Sequence, residues 1–208
     1  GVKKVVALST DKAANPVNLY GATKLCSDKL FIAANSYAGA RDTRFAVVRY
    51  GNVVGSRGSV IPFFKAKAAS GTLPITDARM TRFWITLDQG VRFVLDAFER
   101  MHGGEVFVPK LPSMNILDLA KAIAPDAETE IVGIRAGEKL HEVMIPGDDA
   151  RNTLEYDNYY AIVPSMVDWE ARGWVSSGMR CDDGFCYSSD DNPDRLSTKQ
   201  LRDIAGMS

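Results

Sequence analysis

One short stretch, Ser9-Thr10-Asp11-Lys12-Ala13-Ala14-Asn15-Pro16-Val17-Asn18-Leu19-Tyr20-Gly21-Ala22-Thr23-Lys24, collects hydroxyl, carboxyl, phenol and ammonium groups that can move protons. Tyr20 and Lys24 are spaced i, i+4, so on a helix they share one face about one turn apart. An ammonium beside a phenol favours the phenolate, which is a general base, and the same lysine can hydrogen-bond a ribose. Asp11 and Lys12 stand side by side directly after Ser9-Thr10. A carboxyl and an amine in that position can act as acid and base, the pair needed to remove water across two adjacent carbons. Taken singly, each signal has an ordinary explanation: a tyrosine one turn from a lysine is usually helix surface, and an Asp-Lys pair is usually an exposed loop.

The elements around this stretch have to bring those groups together. Val5-Val6-Ala7-Leu8-Ser9 is an apolar run that leads straight into polar residues, as a buried parallel strand does at a functional edge. Asn15-Pro16 marks a turn, and residues 17 to 38 carry a helical pattern, with Leu19, Leu25, Leu30, Phe31 and Ala34 supplying much of its apolar face. Phe45 to Tyr50 predicts a second buried strand, followed by the glycine-punctuated Gly51-Asn52-Val53-Val54-Gly55-Ser56-Arg57-Gly58. Strand alternating with helix predicts a parallel α/β sheet. Gly51, Gly55 and Gly58 lack the G-x-G-x-x-G spacing of a dinucleotide diphosphate loop. Further helices are expected near 60 to 70, 87 to 100, 115 to 124 and 138 to 144, with strands near 105 to 108 and 129 to 134. After Asp168 the chain turns polar, and a strap ending in a short helix at Thr198 to Ile204 is expected.

Composition narrows the function classes. The chain has 208 residues, 46% of them hydrophobic, enough for one large domain or parts of two. Lys plus Arg number 25 against 26 Asp plus Glu, which argues against nucleic acid as a partner. Cys26, Cys181 and Cys186 lack paired CxxC spacing, and His102 and His141 lie far apart, so neither a disulfide framework nor a metal site is expected. The chain begins Gly1-Val2-Lys3 without an initiator Met and has no apolar run of membrane-spanning length. A cytoplasmic protein without a membrane anchor, and with its start missing, is expected.

A strand ending in Ser9-Thr10, followed by Tyr-x-x-x-Lys at Tyr20 and Lys24, resembles the core of the short-chain dehydrogenase/reductase superfamily. The resemblance implies that Thr10 holds the reacting sugar oxygen while Tyr20 and Lys24 handle the proton and the nicotinamide ribose. The whole stretch, with Asp11 and Lys12, is similar to the signature of the configuration-inverting UDP-N-acetylglucosamine 4,6-dehydratases. The related membrane-anchored polysaccharide-biosynthesis dehydratases typically carry Met where this chain has Tyr20, which favours the soluble class.

The resemblance implies an α/β fold: the C-terminal part of an extended short-chain dehydrogenase Rossmann fold, plus a smaller α+β substrate-binding domain. Residues 1–58 would close the Rossmann domain, 59–168 would mainly bind the nucleotide sugar, and 169–208 would form the strap. The glycine-rich first half of the Rossmann domain is absent, so these residues by themselves are expected to bind dinucleotide poorly and to be inactive.

NADP is the implied cofactor, with NAD as the alternative. UDP-N-acetylglucosamine is the implied substrate, a homo-oligomer the implied assembly, and pseudaminic-acid-type sugars on flagellin or surface glycans the implied destination. Substrate contacts carried over from the family fall on Asn52, Val60, Thr76, Arg82, Arg135 and Glu138, with the diphosphate clamped by Arg135. The rivals are a retaining dehydratase or epimerase of the same fold, and a non-catalytic dinucleotide-fold binding protein.

Overall fold

The computed structural model describes residues 1–164 and 178–206. In chain order the main elements are β1 (Lys4–Thr10), α1 (Leu19–Tyr37), β2 (Arg44–Tyr50), β3 (Asn52–Val53), α2 (Val60–Ala68), β4 (Thr72–Ile75), β5 (Thr81–Ile85) and α3 (Leu87–Arg100). They continue as β6 (Val106–Pro109), β7 (Ser113–Asn115), α4 (Ile116–Ile123), β8 (Glu128–Ile131), β9 (Val143–Ile145), β10 (Thr153–Glu155), β11 (Tyr159–Ile162), β12 (Met179–Arg180) and α5 (Thr198–Ile204). They form two compact units: unit 1 is Gly1–Tyr50, Val91–Lys110 and Val143–Tyr187, and unit 2 is Gly51–Gly90, Leu111–Glu142 and Ser188–Ser208.

Unit 1 is built on a 6-stranded sheet in the order β1-β2-β6-β11-β10-β12. β1, β2 and β6 run parallel, and the strands beyond β6 pair antiparallel. Parallel neighbours need a crossover, and α1 supplies the one from β1 to β2. The strand-helix-strand arrangement is the parallel α/β sheet that the sequence pattern predicts and the Rossmann-type fold that the resemblance implies. β2 lies between two strands, so Ala46, Val47 and Val48 are each 0% exposed. Their contiguous apolar run is what a strand covered on both faces requires. Ala46, Val48, Ala97, Met101, Phe107, Leu154, Ala161 and Val163 form the core.

Two expectations about this unit change. β1 ends the sheet and pairs on one side only among the described residues, so Leu8 is 49% exposed instead of buried. The predicted apolar face of α1 is also only partly used: Leu19 is 79% and Leu30 68% exposed, and the buried residues of that helix are Gly21 and Asp28.

In unit 2, β3 pairs parallel with β5 and β5 antiparallel with β7, while β4 pairs parallel with β8. Ile61 and Phe64 of α2, Leu119 of α4 and Leu201 of α5 join Leu73, Ile75 and Trp84 in one apolar cluster. α4 is started by Asn115, whose Oδ1 accepts from Leu117 N at 2.7 Å. α5 starts on a reciprocal capping box between Ser197 and Gln200 and spans the residues expected of it.

The helix expected near 138 to 144 does not form. Gly137 takes a left-handed φ of 79°, and the carbonyls of Lys139 and Leu140, which a helix would use internally, accept from Arg82 at 3.0 and 3.1 Å. Parts of the expected strap, residues 169–177 and 207–208, lie outside the described residues.

Candidate active site

At the end of β1 the chain turns into a single 3-10 turn over Asp11–Ala13. Thr10 caps it in an extended conformation, with Oγ1 accepting from Lys12 N at 3.4 Å. The same hydroxyl donates to Asp11 Oδ1 at 2.8 Å, and Lys12 Nζ reaches that oxygen at 2.9 Å. The Asp11 side chain is 0% exposed and the Lys12 side chain 35%, so a buried carboxylate is held by an ammonium that solvent still reaches. The three residues singled out at the strand end therefore form one hydrogen-bonded group.

Past Asn15, in the left-handed region at φ 47°, and Pro16, the chain enters α1 at Asn18. Asn18 Oδ1 accepts from Gly21 N at 2.8 Å, a helix cap that places Tyr20 and Lys24 in the first turns. Lys24 Nζ donates to the carbonyl of Leu8 at 3.2 Å, so the Tyr20–Lys24 face lies over the end of β1. Tyr20 is half exposed. Gly21, beside it, packs on the 3-10 turn so closely that a Cβ there would stand 2.3 Å from the Lys12 carbonyl oxygen. All five residues expected to do chemistry thus belong to one strand end, one turn and one helix start.

The expected ligand contacts fall in unit 2. Asn52, in β3, has a buried Oδ1 without a hydrogen-bond partner, as does the Oγ of Ser59, which precedes α2. An unsatisfied buried acceptor costs free energy unless a ligand meets it. Val60 opens α2 and packs against the unit 2 core. Thr76 Oγ1 donates to Met80 Sδ at 3.2 Å. Next to it, Arg79 grips both oxygens of Asp77 at 3.0 and 2.8 Å and holds that carboxyl down to about 2, so its charge is neutralised locally.

Arg82, expected to contact the nucleotide sugar, also has partners within the protein. Its Nη1 is given to the carbonyls of Thr81 and Leu140 and its Nη2 to that of Lys139, with Glu142 Oε1 3.6 Å from its Nε. The guanidinium fixes the 139–142 segment, a task that spacing alone does not reveal. Arg135 and Glu138 pair at 3.4 Å on the segment between β8 and β9, with Arg135 70% exposed at its side chain. Such a surface pair holds its partners only weakly and yields easily to a better one.

Among the described residues no group of three or more His, Cys, Asp or Glu could hold a metal ion, and no helix is long and apolar enough to cross a membrane.

Residues 1–164 match the polysaccharide biosynthesis protein family. The chain belongs to this family.

The chain is 63% identical, over 98% of its length, to the UDP-N-acetylglucosamine 4,6-dehydratase (inverting) of Campylobacter jejuni strain 81-176. It spans 64% of that enzyme's length. The crystal structure of Pen from Bacillus thuringiensis superposes with a TM-score of 0.86 at 32% identity, covering 98% of this chain and 62% of that one. DesIV, a dTDP-glucose 4,6-dehydratase from Streptomyces venezuelae, shares the fold at a TM-score of 0.57 and 22% identity, over 66% of this chain and 49% of its own.

Gly21 and Asp28 are not singled out by motif or spacing, though both carry a signal in the sequence. A glycine inside a helix costs about 1 kcal/mol against alanine and so usually marks a close contact. An aspartate one turn beyond Lys24 continues the stripe of Tyr20 and Lys24.

Proposed function

We propose that the whole protein is a cytoplasmic, configuration-inverting UDP-N-acetylglucosamine 4,6-dehydratase, a hydro-lyase using NADP, or NAD in its place, and serving pseudaminic-acid-type surface glycans. The observation that carries this reading is the Thr10–Asp11–Lys12 group beside the Tyr20–Lys24 helix. The 63% identity to the Campylobacter enzyme supports it. In this reading Thr10, Asp11, Lys12, Tyr20 and Lys24 carry the proton chemistry, and Asn52, Val60, Thr76, Arg82, Arg135 and Glu138 contact the nucleotide sugar. Arg82 also holds the neighbouring segment in shape.

Lys24 suits a nicotinamide ribose: one ammonium proton goes to the Leu8 carbonyl at 3.2 Å, leaving two for ribose hydroxyls. When bound, the nicotinamide accepts hydride from C4 of the sugar and gives it back at C6. Tyr20 takes the proton of the C4 hydroxyl. Thr10 Oγ1, which donates to Asp11 Oδ1 at 2.8 Å, can rotate its proton onto the C4 oxygen as Tyr20 removes the proton of that oxygen. The C4 ketone acidifies C5. Lys12, as the amine, removes the C5 proton, and Asp11, as the acid, protonates the C6 hydroxyl, which leaves as water. Moving one proton along the 2.9 Å Lys12–Asp11 contact converts the ion pair into that neutral amine and acid without changing net charge. A proton finally returns to the opposite face of C5.

Turnover in deuterium oxide should place deuterium at C5 of the first-formed product, while a C4-deuterated substrate should yield a deuterated C6 methyl group. Ring couplings by NMR should report the L-arabino configuration. The D-xylo configuration in the earliest product would point to a retaining dehydratase, and a C4 epimer without dehydration to an epimerase.

Arg135→Ala should raise KM about tenfold with little change in kcat, because a phosphate clamp acts equally in ground and transition states. An unchanged KM would leave Arg135 as a surface residue.

A further inference from the structure

Behind the proton-moving groups of unit 1 lies a buried ionic cluster that the chemistry above does not use. Ser9 and Arg49 are register partners in the parallel β1–β2 pair, and Asp28 of α1 stands over both. Asp28 Oδ2 accepts from Ser9 Oγ at 2.8 Å and from Arg49 Nη2 at 3.2 Å. Arg49 Nη1 donates to the Met144 carbonyl of β9 at 2.7 Å, and β9 packs against the 3-10 turn that holds Asp11 and Lys12. Ser9, Asp28 and Arg49 are 4%, 2% and 3% exposed.

The cluster is a poor device for stability. Two charges are withdrawn from water, an expense that their mutual attraction only roughly offsets, and Arg49 Nε has no partner. Its geometry serves orientation better. Tyr20, Lys24 and Asp28 follow one another at i, i+4 and i+8, a single stripe along α1. Lys24 is bonded to residue 8 of β1 and Asp28 to residue 9, immediately before Thr10. A helix joined at two successive turns to two successive strand residues can neither slide nor rotate. Through Met144 the same arginine steadies the far side of the turn.

We propose that Asp28 and Arg49 are positioning residues that hold the Tyr20–Lys24 stripe in register with Thr10, Asp11 and Lys12. As a claim about catalysis this rests on the dehydratase reading, and as a claim about α1 it does not. The double variant Asp28→Leu/Arg49→Met separates positioning from stability, since replacing a buried ion pair by apolar side chains is commonly neutral for stability. In the whole protein its melting temperature should stay within a few degrees of wild type. Its kcat with UDP-N-acetylglucosamine should fall about 10²-fold, the scale of a 1 Å misplacement, with KM changed less than about threefold. Backbone amide exchange should quicken in residues 11–14 and 19–24 and stay slow in β2. If the double variant does not fold, Ser9→Ala, which removes one bond without stranding a charge, should lower kcat about fivefold at unchanged KM, with the same local gain in exchange. A folded variant with wild-type kcat and wild-type exchange overturns the proposal, as does a loss of activity that only tracks a loss of folded protein. If the wild type does not dehydrate UDP-N-acetylglucosamine, the functional reading fails, and the exchange pattern still decides the positioning role.

Discussion

Lys12→Ala in the whole protein should lower dehydration by about 10³-fold or more, the scale expected when a positioned acid–base group is lost. Binding of the UDP sugar, measured by calorimetry, should persist, because in the proposed mechanism Lys12 abstracts a proton and anchors nothing. The variant should still remove hydride from C4, a step assigned to Tyr20 and Lys24, so a single-turnover absorbance rise near the reduced-nicotinamide band should appear without product. The effect also reaches Asp11, which loses the ammonium 2.9 Å from its Oδ1 and with it the source of the proton it must deliver. Asp11→Asn should therefore stall at the same point. Normal turnover by Lys12→Ala would remove Lys12 from the mechanism and leave the Asp11 contact as loop architecture.

Gly21→Ala should be nearly as damaging, against the direction that helix propensity predicts. Alanine in a helix interior is ordinarily favoured over glycine by about 1 kcal/mol. Here the added methyl would meet the Lys12 carbonyl oxygen at 2.3 Å and Pro16 Cβ at 3.0 Å, and the first of these is backbone that cannot swing aside. Either α1 lifts or the 3-10 turn retreats. The variant should lose about 1–3 kcal/mol of stability to overpacking, read from denaturant unfolding, and about 10²-fold in kcat, because Tyr20 and Lys12 lie on the two sides that separate. A more stable, fully active Gly21→Ala protein would show that the helix and turn do not touch.

The sequence made the chemistry more legible than its supports. Thr10, Asp11, Lys12, Tyr20 and Lys24 could be found because they sit within one short segment, where spacing converts directly into geometry: a strand end, a turn and two successive helix positions. α3 and α5 were equally open to reading, since Phe93, Val94 and Ala97 repeat at helical spacing and Ser197 to Gln200 is a capping box. The misreadings came from tertiary partners. The 138 to 144 segment has helical composition, but Arg82, far away in sequence, takes its carbonyls. β1 has the composition of a covered strand and stands at the end of its sheet among the described residues. The leucines of α1 predict an apolar face, yet the helix is fastened through Lys24 and the buried Asp28, polar residues whose partners are Leu8, Ser9 and Arg49.

The interleaving of the two units has a consequence for how the chain folds as it is synthesised. Unit 1 draws on residues before 51, after 90 and after 142, and unit 2 on the stretches between them and after 187. When residues up to 100 have left the ribosome, β1 and β2 can pair, but β6, which covers the other edge of β2, has not yet emerged. The apolar Ala46-Val47-Val48 edge must therefore wait for partners from much later in the chain. Long-range parallel pairing of this kind is slow, and strand edges left open in the meantime invite association with other chains. Among the described residues Leu201, 0% exposed in the unit 2 core, arrives last of the large buried side chains, so that core closes only after residue 201 has emerged. Slow elongation and chaperone cover over this interval should raise the yield of folded protein more than any gain in its final stability.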